Sequence, residues 1–143
     1  MKNHNVELLK GIQKNAKMGM VAVDTMIDKV YDDSLAIQLS KQEAKYEKIY
    51  QQATSEIEKL HVEAVPSTKM QDMMLKGGIH MNTMLDCSNS HIAELMIKGN
   101  HMGVTDMWKN TNTYKGAEIA TMELARELTD FEEKSIQQMR KYL

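Results

Sequence analysis

The sequence predicts an all-α protein: a bundle of four long amphipathic helices, with one additional shorter helix as a crossover between helices two and four. Three observations predict it. A single proline in 143 residues leaves long helices uninterrupted. Fourteen methionines against one phenylalanine make the apolar side chains unbranched, helix-favouring and adaptable. Apolar residues also recur at 3-and-4 spacing along most of the chain, with no strand-like alternation. The length fits one domain, 1–143, large enough to bury a core without disulfides or metals.

The first helix is expected from Asn5 to Tyr31, with Leu9, Ile12, Ala16, Met20, Val23, Ile27 and Val30 on one stripe. Asp32, Asp33 and Ser34 then offer side-chain acceptors for a new helix start. The second helix follows to about His61, burying Leu35, Leu39, Gln42, Tyr46, Ile49, Ala53, Ile57 and Leu60. So short a turn requires the two helices to pack antiparallel. Pro66 breaks the pattern, and Ser67 is placed to cap the third helix, whose apolar side carries Met70, Met73, Met74, Gly77, Met81, Met84 and Leu85.

Within that third helix, "MLKGGIHMNTM" sets His80 beside a methionine stripe, about 80° from its centre, which favours core packing over soft-metal binding. Gly77 and Gly78 each cost a helix about 1 kcal/mol against alanine, so they are expected to admit a close neighbour or a kink. "DCSNS" (Asp86 to Ser90) is a turn and capping cluster. The fourth helix runs to about Asn110 with Ile92, Leu95, Met96, Gly99 and Gly103 inward, and "NTNTYKG" closes it. The last, about Lys115 to Tyr142, turns Ala117, Ala120, Thr121, Leu124, Leu128, Phe131, Ser135 and Met139 inward.

A third helix that returns along the bundle leaves helices two and four parallel, with one long crossover, as in ferritin-like bundles. The order and spacing of the helices, the runs "LAIQLSKQEAKYEKIY" and "MIKGNHMGVTDM", and the glycine-polar-polar step Gly99, Asn100, His101 resemble the small ferritin-like bundles of the domain of unknown function 2383 family. The resemblance covers nearly the whole chain and implies a ferritin-like fold. It carries no catalytic signature and so implies little about activity.

Di-iron centres of that superfold take one glutamate from each of two helices and a Glu-x-x-His pair from each of the others. Glu-x-x-His occurs once, as "EKLH" (Glu58 to His61) at the far end of the second helix, whereas the centre needs it on two helices and in mid-bundle; the reverse string "HIAE" spans His91 to Glu94. The mid-bundle inner positions read Ala16, Met20, Gln42, Tyr46, Gly99, Gly103, Leu124 and Leu128, none of them a carboxylate. Asp24, Glu43 and Glu127 fall about 65–85° off their stripes. Asp106 is the one acid in line with an inner face, expected to hydrogen-bond neighbouring hydroxyls, and Gln42 is expected to pair with a tyrosine hydroxyl. The interior is therefore expected to hold thioethers, glycine and hydrocarbon, with no resident metal or other cofactor.

Two metal readings remain as alternatives: an iron or manganese site on misplaced ligands, and a copper site on thioethers from "KMGM" or "MQDMM", although Cys87 stands alone and soft sites usually add cysteine. His91, Glu94 and His101 share one helix side and could form a weak surface site. A methionine-lined cavity for an apolar ligand is a further possibility.

A net charge of -2 from 18 basic and 20 acidic residues excludes a generic basic field for nucleic acid or an anionic membrane. No apolar run approaches the ~18 residues needed to span a bilayer, and the polar start "MKNHNVELLK" is unlike a secretion signal. One cysteine fits a reducing compartment, so the expected location is cytoplasmic. No phosphate loop, G-x-S-x-G or H-E-x-x-H occurs, so no catalytic residues are assigned. One feature asks for a partner: Ile97, Val104, Met107 and Trp108 gather on the flank of the fourth helix opposite its inner stripe, and an exposed patch with tryptophan marks an interaction site unless the third helix, as the crossover, covers that flank within one chain. The expected role is therefore structural or protein-interacting, with a homo-oligomer or a protein partner held through the fourth helix.

Overall fold

A computed structural model describes residues 3–61, 75–79 and 86–143, and no strand occurs among them. Four long helices make the bundle: α1 (His4–Ile27), α2 (Asp33–Lys59), α3 (Asn89–Thr113) and α4 (Ile119–Met139), followed by a 3-10 turn at Arg140–Tyr142. No helix among the described residues is long and apolar enough to cross a membrane.

The caps follow the local sequence. Asn3 accepts from the Asn5 and Val6 amides at the start of α1, Asp32 from Leu35 N at the start of α2, and Ser88 from His91 N at the start of α3. Each side-chain oxygen satisfies an amide that the first turn leaves without a partner. α1 stops at Ile27, short of the expected Tyr31, because Lys29 N and Val30 N bond back only three residues, to Met26 O and Ile27 O. α2 ends as His61 enters the left-handed region at φ 53°.

The start of α4 is built differently. Its N-cap Glu118 makes no side-chain cap bond. Instead Asn5 Oδ1 accepts from Glu118 N at 3.0 Å and His4 Nδ1 accepts from Gly116 N at 2.9 Å, so the first turn of α1 holds the α3–α4 turn. At the other end of the bundle, Tyr142 Oη and Ser34 Oγ lie 2.6 Å apart and tie the tail of α4 to the α1–α2 turn.

Contacts between helices give their directions. Asn15 on α1 bonds Gly103 O on α3, and Tyr46 on α2 bonds Asn100 on α3 and Glu132 on α4. Toward the ends, His4 meets Tyr114, while Met26, Leu35, Ile92 and Met139 share one apolar cluster. α1 and α2 are thus antiparallel, as are α3 and α4, whereas α2 and α3 run parallel. The chain between Lys59 and Asn89 therefore joins opposite ends of the bundle.

The inner face of α2 is the expected one: Leu35, Leu39, Gln42, Tyr46, Ile49, Ala53 and Ile57 are all buried, although Leu60 is exposed. α3 and α4 are both rotated, by about 60–70° at 100° per residue, from the expected faces. α3 buries Ile92, Ala93, Met96, Asn100, Gly103, Val104 and Met107; Gly99 and Asp106 are exposed and Leu95 half-buried. α4 buries Thr121, Ala125, Leu128, Thr129, Glu132, Ser135, Ile136 and Met139, whereas Ala120 is exposed and Leu124 and Phe131 are half-buried. On α3 the rotation brings Val104 and Met107 inward in place of Gly99; on α4 it brings Thr129, Glu132 and Ile136 inward and turns Ala120, Leu124 and Phe131 toward the surface.

Residues 75–79 are helical, with Ile79 in the core beside Ile92 and Met96. Gly77 and Gly78 are exposed, and a Cβ added to either meets nothing within 4 Å. The expected close neighbour is therefore absent at both glycines, among the described residues. Pro66, Ser67, His80 and the stripe methionines Met70, Met73, Met74, Met81 and Met84 lie outside the described residues.

The core has two apolar parts. One holds Leu8, Ile12, Ile49, Ala53, Met107 and Leu128; the other holds Val23, Met26, Leu35, Leu39, Ile92 and Met139. In sequence order on every helix, polar or very small residues fall between the two parts.

Candidate functional site

At that boundary every helix contributes one or two groups. α1 supplies Asn15 and Gly19, α2 Tyr46, α3 Asn100 and Gly103, and α4 Glu132. Glu132 is 1% exposed and Tyr46 2%. The Tyr46 hydroxyl donates to Glu132 Oε2 at 2.7 Å and lies 3.0 Å from Asn100 Oδ1. The Asn15 amide spends both its hydrogens, one on Glu132 Oε1 and one on Gly103 O, each at 3.0 Å. Phe131 packs edge-on to the Tyr46 ring at 4.8 Å and holds its plane.

Two glycines make the space. A Cβ on Gly19 would lie 2.5 Å from the Tyr46 ring, and a Cβ on Gly103 would overlap the Glu132 carboxylate. Small residues are needed here because the backbones of α1 and α3 form the walls around a phenol and a carboxylate.

Burial pushes the Glu132 carboxyl up from 4.5 to about 7. Hydrogen bonds from Tyr46 and Asn15 oppose the rise, and the charge of Asp106 adds to it. Tyr46 is pushed well above its usual range, first by burial and then by the neighbouring Glu132 charge and hydrogen bond. The phenol therefore keeps its hydrogen and the carboxyl titrates. With Glu132 ionised, the phenol donates to it; with Glu132 protonated, the phenol hydrogen can turn to Asn100 Oδ1. Asn100 Nδ2 has no partner among the described residues.

Above this floor lies a cavity of about 120 Å³ between α1 and α3, walled by Met18, Ala22, Leu75, Leu95, Met96 and Met102 with Asp106 near Glu132. Chemically, the arrangement can hold or release one proton near neutral pH at the wall of a mostly apolar space.

This site differs from the sequence expectation. The inward acid is Glu132, and Asp106, expected in that role, is exposed. The middle of the bundle is polar rather than purely thioether, glycine and hydrocarbon. Gln42 is buried as expected but does not pair with a tyrosine: neither amide atom has a partner among the described residues, since Tyr46 is engaged by Glu132 and Asn100. A heptad-like spacing could have found Glu132, because Thr121, Ala125, Leu128, Glu132, Ser135 and Met139 alternate steps of four and three, and that seam passes through the acid.

The four residues expected as one interaction patch are split by the rotation of α3. Val104 and Met107 lie in the core, Ile97 is half-buried against the second apolar part, and Trp108 alone is well exposed, at 54%. His91, Glu94 and His101 form no ligand cluster: Glu94 pairs with Lys98 at 2.8 Å, and no group of three or more His, Cys, Asp or Glu is placed to hold a metal among the described residues. Cys87 is exposed and free.

Compared with known proteins, the chain matches no family model, no curated protein and no solved structure.

Proposed function

We propose that this chain is a ferritin-like bundle that works by holding a protein partner, a second copy of itself first, rather than through a di-iron centre. The single observation that carries the reading is the make-up of the middle layer. Where a di-iron bundle needs carboxylates from all four helices and two histidines, α1 offers an amide, α2 a phenol, α3 an amide and α4 one carboxylate. Those groups already satisfy much of one another's hydrogen bonding. The parallel α2 and α3, joined across the length of the bundle, support the ferritin-like connectivity. Of the partner-binding set, Trp108 is the side chain free to anchor a contact. The free thiol of Cys87 suits a reducing compartment such as the cytoplasm.

Elemental analysis of protein purified without chelator, together with its mass in solution, tests this. The expected result is a dimer with far less than one metal per chain, reverting to monomer in Trp108→Ser. Stoichiometric iron, manganese or copper lost in Glu132→Gln would replace this reading with a metal-binding one. A monomer at every concentration would remove the self-association.

A further inference from the structure

We propose that the cavity between α1 and α3 is a binding site for a small uncharged hydroxyl compound of phenol size, its hydroxyl seated on Asn100 and Glu132 and its apolar body among Met18, Leu95 and Met96. The dimensions come first. A volume of about 120 Å³ is close to that of an apolar cavity of ~150 Å³ that takes benzene, so one six-membered ring or a short chain fits.

The floor then selects the head group. Asn100 is 1% exposed, lines the cavity, and carries a buried Nδ2 without a partner among the described residues, a donor in need of an acceptor. Glu132 beside it accepts one hydrogen on each oxygen, from Asn15 and Tyr46, and each oxygen keeps a second lone pair that can accept another. A hydroxyl is both acceptor and donor and meets the two groups at once. An ammonium would set donor against donor at Asn100. An anion would face Glu132 and Asp106, and no cationic side chain lines the cavity among the described residues. A wholly apolar guest would leave the amide as it is. The walls of thioether and alkyl groups adapt to shape, and Gly99 at the wall leaves room.

The test uses the whole chain with methionine methyls labelled with carbon-13, titrated with phenol and, separately, with toluene. Phenol is expected to shift the Met18 and Met96 methyls saturably and to bind about tenfold more tightly than toluene. Asn100→Leu, in which Tyr46 keeps its bond to Glu132, is expected to bring the two compounds within about twofold. In Gly99→Leu the Cβ meets nothing within 4 Å and the rest of the side chain occupies the cavity, so binding of both compounds is lost, with circular dichroism checking that the helix content is retained. Shifts that rise without saturation, equal affinity for phenol and toluene in the unaltered protein, a phenol preference that survives Asn100→Leu, or binding unaffected by Gly99→Leu would each overturn the assignment.

Discussion

On either side of its middle the bundle is packed with hydrocarbon: Leu8, Ile12, Ile49 and Leu128 in one part, Leu35, Leu39, Ile92 and Met139 in the other. The layer between holds Glu132, Tyr46, Asn100 and Asn15, with Gly19 and Gly103 giving them room. The apolar parts are stabilised by area removed from water and are insensitive to pH. The polar layer gains little from area, depends on every group keeping its partner, and carries a proton whose binding is linked to folding. Stability therefore resides in the apolar parts, while the capacity to respond to solution conditions and to a guest resides in the middle.

Truncating the apolar part should have the largest effect. Ile49→Ala, at a fully buried position, is expected to cost about 2–5 kcal/mol in a urea unfolding curve. A smaller loss would mean that the core collapses around the hole, which would weaken the contrast between the regions.

The middle layer should show itself next, as a pH effect. Glu132 keeps its proton to about pH 7 when folded but loses it near 4.5 when unfolded, so between those values the folded state binds the extra proton. Stability contributed by this group is therefore fully present below about 4.5 and falls as pH rises through 7, by about 3 kcal/mol in all. Unfolding free energies from pH 4.5 to 8, compared between the unaltered protein and Glu132→Gln, isolate the term. Parallel curves would show that Glu132 is not the titrating group.

Two glycine substitutions sharpen the comparison further. Gly19→Ala sets a methyl against the Tyr46 ring and is expected to cost about 1–3 kcal/mol, outweighing alanine's better helix propensity. Gly99→Ala meets no neighbour and should stabilise by up to about 1 kcal/mol. Thermal melts of the two should move in opposite directions; a shared direction would mean that helix propensity alone governs both.

The all-helical architecture was legible in the sequence because it rests on local signals: the caps at Asp32 and Ser88, the four-three spacing of α2, and the scarcity of proline. The faces of α3 and α4 were misread because two adjoining stripes both keep the helical spacing, one through Gly99 or through Leu124 and Phe131, the other through Asn100 and Val104 or through Ala125 and Glu132, and periodicity alone does not choose between them. A buried carboxylate is tolerated only when distant partners meet it, here Asn15 and Tyr46, 117 and 86 positions away. No window along the chain reports such a meeting, so the candidate site was hidden although each of its members was visible. The same rotation dissolved the expected patch by turning Val104 and Met107 inward while leaving Trp108 outside.

The fastening of α4 has a consequence for biogenesis. Because the turn leading into this helix finds its acceptors on Asn5 and His4, more than a hundred residues upstream, α1 cannot complete its own contacts until residues 116–118 have left the ribosome. Closure of so long a loop is slow compared with helix formation, so the nascent hairpin of α1 and α2 must wait with one apolar side uncovered, a natural moment for a chaperone to engage it.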